Sequence, residues 1–374
     1  VRFIFYTNIS FEPWDYDNSV KKGIGGAETS IVEMAWRLAR LGQEVIVYAP
    51  IKKTTKRKWR GTTWIHFKKA NFKLKGQWIL YRCPEIVDKF LPRRKGQKIW
   101  LLWQDWDYPT LTPKRLRGVD KHITLCKAHG QYMLDRYKSL GKNRLWLSSN
   151  GIKRDLIEEI EKEKIRRNPR RIMYASSPDR GLKQALLVFK KAKEYVPDLQ
   201  FYAFYGFNNL NKLIKGLPET HPMVKNVNEI KVLLKQKGVH FGGRIPQQQL
   251  MREWFKSGIY LYITDFFETS HISGMEAQAC GAVPVFSPIY AQAENIQHGV
   301  GISGKSSEPL TIARAAAEVV RIAIQPQLQK QIRDTMIPWA RDRFNWDVFV
   351  VQWIAEAYDK RKGFESKFPF PEQL

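Results

Sequence analysis

The sequence predicts an α/β protein built from two doubly wound, parallel-sheet domains. Short apolar runs alternate with helix-period segments along almost the whole chain, the pattern of strands joined by crossover helices. The 374 residues are enough for about two domains at roughly 150 residues each. Between the two series of runs lies a charged stretch, residues 154–171. Its Glu-Lys-Glu-Lys character and Pro169 predict a solvated connection. The predicted boundaries are 1–153 for the first domain, with a returning C-terminal helix at about 344–374, and 154–343 for the second.

In the first domain, strands are predicted at 2–6, 44–48, 64–67, 78–81, 98–103, 122–125 and 145–147. A helix over 28–40 follows from Ile31, Met34, Ala35, Leu38 and Ala39, which recur at helical spacing. Residues 128–140 read the same way, with Tyr132, Met133 and Tyr137 on one face. Residues 7–22 form a predicted loop long enough to be a functional lid. In the second domain, strands are predicted at 172–175, 201–204, 239–241, 259–263 and 283–286. Helices at 181–194, 228–237, 247–257, 272–280 and 308–323 fit between them, and the C-terminal segment around Trp346, Val350 and Trp353 reads as helical. No run reaches the roughly 18 apolar residues of a membrane span.

Charge is distributed unevenly. Lys and Arg number 63 against 36 Asp and Glu, a net +27. Residues 1–150 hold 30 basic and 12 acidic side chains, and 16 of those basic residues fall in 51–100 against only Glu85 and Asp88. Such a field attracts phosphates, anionic lipid surfaces or nucleic acid. Cys83, Cys126 and Cys280 are odd in number and far apart, which indicates neither a disulfide framework nor a zinc site. The expected setting is reducing and cytoplasmic.

Four loops carry chemistry. Glu268-Thr-Ser-His-Ile-Ser-Gly-Met-Glu276 leads from a strand into a helix, so a helix N-terminus able to collect a phosphate lies between two acids. Carboxylates are poor partners for phosphate but good acceptors for paired sugar hydroxyls, so the loop reads as a site for phosphate plus sugar. Both acids are expected to point toward that helix N-terminus. Ser176-Ser177-Pro178-Asp179-Arg180-Gly181 follows the first strand of the second domain, where doubly wound sheets bind ligands. Gly23-Ile-Gly25-Gly26-Ala-Glu28 opens the first long helix, and its spacing is not that of a dinucleotide fingerprint. Trp103-Gln104-Asp105-Trp106-Asp107-Tyr108 sets acids among aromatics at a strand end, as carbohydrate surfaces do.

Taken in order, Gly25-Gly26-Ala-Glu28, Ser149-Asn150-Gly151-Ile152, Ser177-Pro178-Asp179-Arg180-Gly181-Leu182 and the Glu268…Glu276 block resemble a glycosyltransferase of the GT-B fold. Within that fold the motifs are similar to those of the large retaining group called glycosyltransferase family four. The resemblance spans nearly the whole chain, and its most specific part is the Glu268…Glu276 block with Ala-Cys280-Gly281-Ala-Val-Pro284. It implies two Rossmann-like domains facing across a cleft. It also implies a nucleotide-diphosphate sugar (a UDP- or GDP-sugar) as donor, no required cofactor, and a glycan, glycolipid or other hydroxyl acceptor.

By the same resemblance Glu276 holds the ribose and Glu268 contacts the transferred sugar. The amides around His271, Ile272 and Ser273, with Gly25, Gly26, Ser177 and Arg180, hold the diphosphate, and Arg244 and Ile245 border the base. The catalytic set it implies is Arg180, Glu268 and Asp105, with no metal ligands. The sequence departs from the family pattern in two places. Arg180 stands at the family's Lys position while Ser176 or Ser177 replaces its other basic residue, and Gln104-Asp105 stands where a first-domain His is common.

Two other readings fit parts of the chain. A sugar-nucleotide epimerase or hydrolase on the same fold would use Asp105 as a base. A nucleic-acid-binding protein would use the net charge, but no recognised module is present and residues 52–60 carry neither a helix nor an RNP pattern. Nucleic acid is therefore not an expected partner. The cation–aromatic cluster at 52–60 instead suggests an anionic acceptor or a peripheral anionic membrane surface.

Overall fold

Strand β1 (Arg2–Tyr6) places Phe3 and Phe5 on one face of a sheet and Ile4 and Tyr6 on the other, all buried. Both faces are covered, as a parallel sheet flanked by helices requires. The computed structural model describes residues 1–9 and 13–358. The described chain divides into two units: residues 1–19, 24–151 and 345 onward, and residues 20–23 and 152–344.

The first unit holds an eight-stranded sheet in the order β3-β4-β2-β1-β5-β6-β7-β8. Its other strands are β2 (Glu44–Ala49), β3 (Lys58–Trp59), β4 (Thr62–His66), β5 (Gly76–Tyr81), β6 (Gln97–Leu102), β7 (Lys121–Thr124) and β8 (Leu145–Leu147). All pairings are parallel except the short β3–β4 hairpin, which the sequence did not reveal because it lies inside the Lys/Arg run. Val45, Val47, Ile79 and Tyr81 join Phe3 and Phe5 on the face packed by the helix Gly26–Arg40. Trp78, Leu80, Ile99 and Leu101 join Ile4 and Tyr6 on the other.

The second unit holds a six-stranded parallel sheet in the order β11-β10-β9-β12-β13-β14. Its strands are β9 (Asn168–Tyr174), β10 (Gln200–Phe204), β11 (Val239–Gly243), β12 (Ser257–Tyr262), β13 (Val283–Phe286) and β14 (Val300–Gly301). Strand order reverses between β9 and β12, whose central residues pair Ile172 with Ile259 and Met173 with Tyr260. The carboxyl ends of those two strands are the topological switch point, the place where such sheets bind ligands.

Three expectations need correction. The stretch 154–171 is a solvated connection only in part: Arg154–Glu161 is a helix with Ile157 and Ile160 fully buried in the second core, residues 162–166 are mostly exposed, and β9 starts at Asn168. The charges that suggested solvent lie on its outer face, where Arg154 bonds Glu158 at 2.7 Å and Arg341 holds Glu161 through two 2.8 Å bonds. The span 7–22, expected to be one long loop, contains a helix at Tyr16–Lys21. Trp14 and Tyr16 are buried, and Tyr16 stacks on Trp59 with ring centres 4.4 Å apart. The helix expected at 228–237 runs instead from Pro222 to Leu233, because the His221 ring caps the Met223 amide at 3.2 Å and Pro222 suits the first turn.

The C-terminal segment is two helices, Pro326–Arg343 and Trp346–Ala357, with Phe344 at the break. The second belongs to the first unit, where the Trp353 indole donates to Ser148 Oγ at 2.9 Å and its ring packs against Phe5 and Trp100. The expected helix beyond Tyr358 lies outside the described residues. Among the described residues no helix is long and apolar enough to cross a membrane.

Candidate functional site

The loop after β9 is pressed against the end of β12. Gly181 has φ +116, and a Cβ there would lie 2.5 Å from the Ile263 carbonyl oxygen, so only glycine permits the approach. That approach sets Arg180 beside Glu268. Arg180 Nη1 lies 3.3 Å from both carboxylate oxygens, and the guanidinium sits 4.3 Å from the Phe266 ring centre. Its Nε is buried without a hydrogen-bond partner, a donor left over at the switch point. Ser177 shapes the turn: its carbonyl accepts from Tyr174 Oη at 2.8 Å and from the Arg180 amide at 3.0 Å, while its hydroxyl bonds Asp179.

Glu268 is buried, and Tyr262 Oη donates to its Oε1 at 2.6 Å. Burial alone would raise its pKa, but Arg180 first, then His271 and Tyr262, outweigh that and hold it down at about 2. Glu268 is therefore an anion throughout the neutral range. On Arg180, burial works against the charge, yet the Glu268 carboxylate prevails and the guanidinium is held more firmly protonated than usual.

The helix Ile272–Cys280 starts immediately beyond. His271 caps it in the left-handed region, φ +58, and Ser273 Oγ donates to the Ala175 carbonyl at 2.5 Å, tying the helix start to the end of β9. First-turn amides such as those of Ile272 and Ser273 have no acceptor one turn back, so they are available to an anion.

Glu276 turns elsewhere. Its buried carboxylate accepts from Gln247 Nε2 at 2.6 Å, with the Trp254 indole beside it. Burial raises its pKa to about 7 in spite of Lys153 and Gln247. The two acids thus do not converge on one point. Glu268 faces Arg180 and Tyr262, while Glu276 faces the helix Gln247–Lys256, whose approach loop carries Arg244 and Ile245. The Arg244 guanidinium lies 5.3 Å from the Tyr205 ring centre, and Ile245 packs partly buried against the core.

No protein-family model matches the sequence, and no curated protein does. Solved structures do match. A glycosyltransferase from Rickettsia africae ESF-5 superposes with TM-score 0.72 at 14% identity, covering 96% of this chain and 99% of that one. HepE of Anabaena, solved with UDP and glucose, gives 0.65 at 15% identity over 96% and 99%. A UDP-forming α,α-trehalose-phosphate synthase from Burkholderia vietnamiensis gives 0.65 at 11% over 96% and 98%.

The chain has the GT-B fold.

At identities this low the likeness is one of fold, and the chemistry rests on side chains. Within the GT-B fold, the first unit holds the remaining sequence-derived residues. Gly25 is the N-cap of the helix Gly26–Arg40, and the Glu28 carboxylate folds back over it, so this helix start already carries an anion of its own. Asp105 is engaged in a 2.6 Å salt bridge with Arg82, a residue held at φ +63 just past β5. The Tyr108 hydroxyl accepts from the amides of Gln104 and Asp105 at 3.1 and 3.4 Å.

Sequence reasoning did not find Tyr262, Gln247, Tyr205 or the His271 ring. Tyr262 is hidden inside an apolar strand, and Gln247 inside a run of three glutamines. Tyr205 carries a signal only in its backbone, φ +136, a value foreign to bulky residues.

Proposed function

We propose that this protein transfers a hexose from a nucleotide-diphosphate sugar to a hydroxyl of a glycan, glycolipid or other acceptor, with retention of anomeric configuration. The observation that carries the reading is the Arg180–Glu268 pair at the switch point, beside the start of a helix that also carries Glu276. The relatives in fold lend support: one was solved with UDP and glucose, and another is described as UDP-forming. A UDP-sugar is accordingly the first donor to test, with a GDP-sugar next.

In this reading Glu276 accepts hydrogen bonds from the ribose hydroxyls, and Gln247 Nε2 stands where one of those hydroxyls would donate. Glu268 accepts from a hydroxyl of the transferred sugar. Arg180 and the amides of Ile272 and Ser273 take the diphosphate. The acceptor oxygen attacks C1 from the face the diphosphate leaves. The O–C1 bond forms as the C1–O bond to the β-phosphate breaks, and the acceptor's proton passes to the departing phosphate oxygen. Catalysis is then positioning plus stabilisation of charge developing on the diphosphate. Arg180 and the helix start supply that stabilisation, so the reading requires no divalent ion. The basic cluster at 52–60 would hold the protein at an anionic membrane or acceptor surface.

A thermal-shift panel of nucleotide sugars tests the donor: one donor is expected to stabilise the protein selectively, and Glu276→Gln is expected to lose that response. Arg180→Ala is expected to lower kcat by roughly a hundredfold or more while donor affinity falls less. Unchanged kcat would remove Arg180 from the mechanism. Turnover that ignores added acceptor would convert the reading to a sugar-nucleotide epimerase or hydrolase.

A further inference from the structure

The His271 imidazole is buried, polar and left unused by the mechanism above. Its backbone sits at φ +58, where a ring-bearing residue is strained and glycine would rest easily. The ring packs against both Tyr260 and Tyr262, with ring centres 5.9 and 4.2 Å away, and Gly274 makes room for it: a Cβ there would lie 2.5 Å from His271 Cδ2. One ring nitrogen, Nε2, is 2.5 Å from Tyr260 Oη, and the other, Nδ1, is 3.7 Å from Glu268 Oε1. That last distance is too long for a hydrogen bond, but it lets a ring N–H dipole act on the carboxylate in a dry setting.

We propose that His271 is a positioning residue for Glu268, fixed by Tyr260 so that its Nδ1–H faces the carboxylate and, with Tyr262, pins Oε1 in place. In the proposed tautomer the Tyr260 hydroxyl donates to Nε2 and the ring proton sits on Nδ1, the arrangement that turns an N–H toward the carboxylate. Oε1 then has Tyr262 and His271 on its side, while Arg180 spans both oxygens and Oε2 is left for the sugar hydroxyl assigned to it. Backbone strain retained for a ring whose two nitrogens address two named groups marks a site-shaping role more than a packing one.

This inference rests on the transferase reading, and its test separates the two. Tyr260→Phe removes the far hydrogen bond at constant ring shape, and His271→Asn keeps a residue that tolerates the left-handed region. Tyr260→Phe is expected to lower kcat roughly three- to tenfold and His271→Asn more, with affinity for free nucleoside diphosphate unchanged, because Glu268 touches the sugar and not the nucleotide. In both variants the Glu268 carboxyl, followed by carbon NMR, is expected to titrate higher than in the unaltered protein. Wild-type kcat in both variants overturns the inference alone. Equal losses of kcat and nucleotide affinity, with an unmoved carboxyl titration, assign His271 to packing and also overturn it. No turnover by the unaltered protein with any donor overturns the transferase reading and this inference together.

Discussion

Glu268 and Glu276 belong to one strand–loop–helix unit, yet their surroundings drive the two carboxyls apart. Arg180, His271 and Tyr262 overcome burial at Glu268 and hold it near 2, whereas burial prevails at Glu276 and lifts it to about 7. The stability consequences are opposite. Glu268, depressed, contributes stability that is present above its ordinary 4.5 and lost as pH falls toward 2. Glu276, raised, is best tolerated below 4.5, and that advantage is lost as pH rises through about 7. Glu276→Gln is therefore expected to raise the melting temperature of the unliganded protein at pH 8 more than at pH 5. An equal change at both values would show that Glu276 titrates normally. If Glu276 holds the donor as proposed, donor binding is expected to strengthen from pH 6 to pH 8 as its carboxylate forms. The residue types at both positions were legible in the sequence, but the divergence was not. It depends on Arg180, 88 positions from Glu268, and on the burial of Glu276, which prevails although Gln247, 29 positions away, opposes it.

Elements were most legible where a single local signal was strong. Ile272–Cys280 was read to the residue because Gly281, in the left-handed region at φ +87, stops it. The error at 154–171 came from reading charge density ahead of periodicity. Ile157 and Ile160 lie three apart on the buried face of Arg154–Glu161, while Glu158 and Glu159 between them stay outside the core. Ile160→Ala is accordingly expected to destabilise by about 2–4 kcal/mol in denaturant unfolding, the usual result of emptying a filled core position. A change within about 0.5 kcal/mol, normal for a surface site, would return this segment to the status of a linker. The strands β3 and β14, two residues each, were invisible because strands this short exist only through the neighbour they pair with.

At the scale of the whole molecule, net charge and topology are separate facts. The +27 charge says nothing about fold; a charge of this sign favours anionic partners in general, and it is densest at 51–100. Vesicles containing anionic lipid are expected to sediment the protein at low salt and to release it as salt is raised past roughly 0.5 M, where the screening length falls to a few ångströms. Equal sedimentation with neutral vesicles would end the membrane proposal. By itself the sequence determined that this is a chain of alternating strands and helices and marked the loops at 176–181 and 268–276 as the candidate site, because periodicity and turn residues are local. Only the tertiary structure decided that those two loops meet. Strand order in the second sheet reverses between β9 and β12, and Gly181 lets the loop after β9 close on Ile263. The partners of Glu268 and Glu276 were decided in the same way, since strand order and side-chain proximity are non-local and leave no pattern in a single chain.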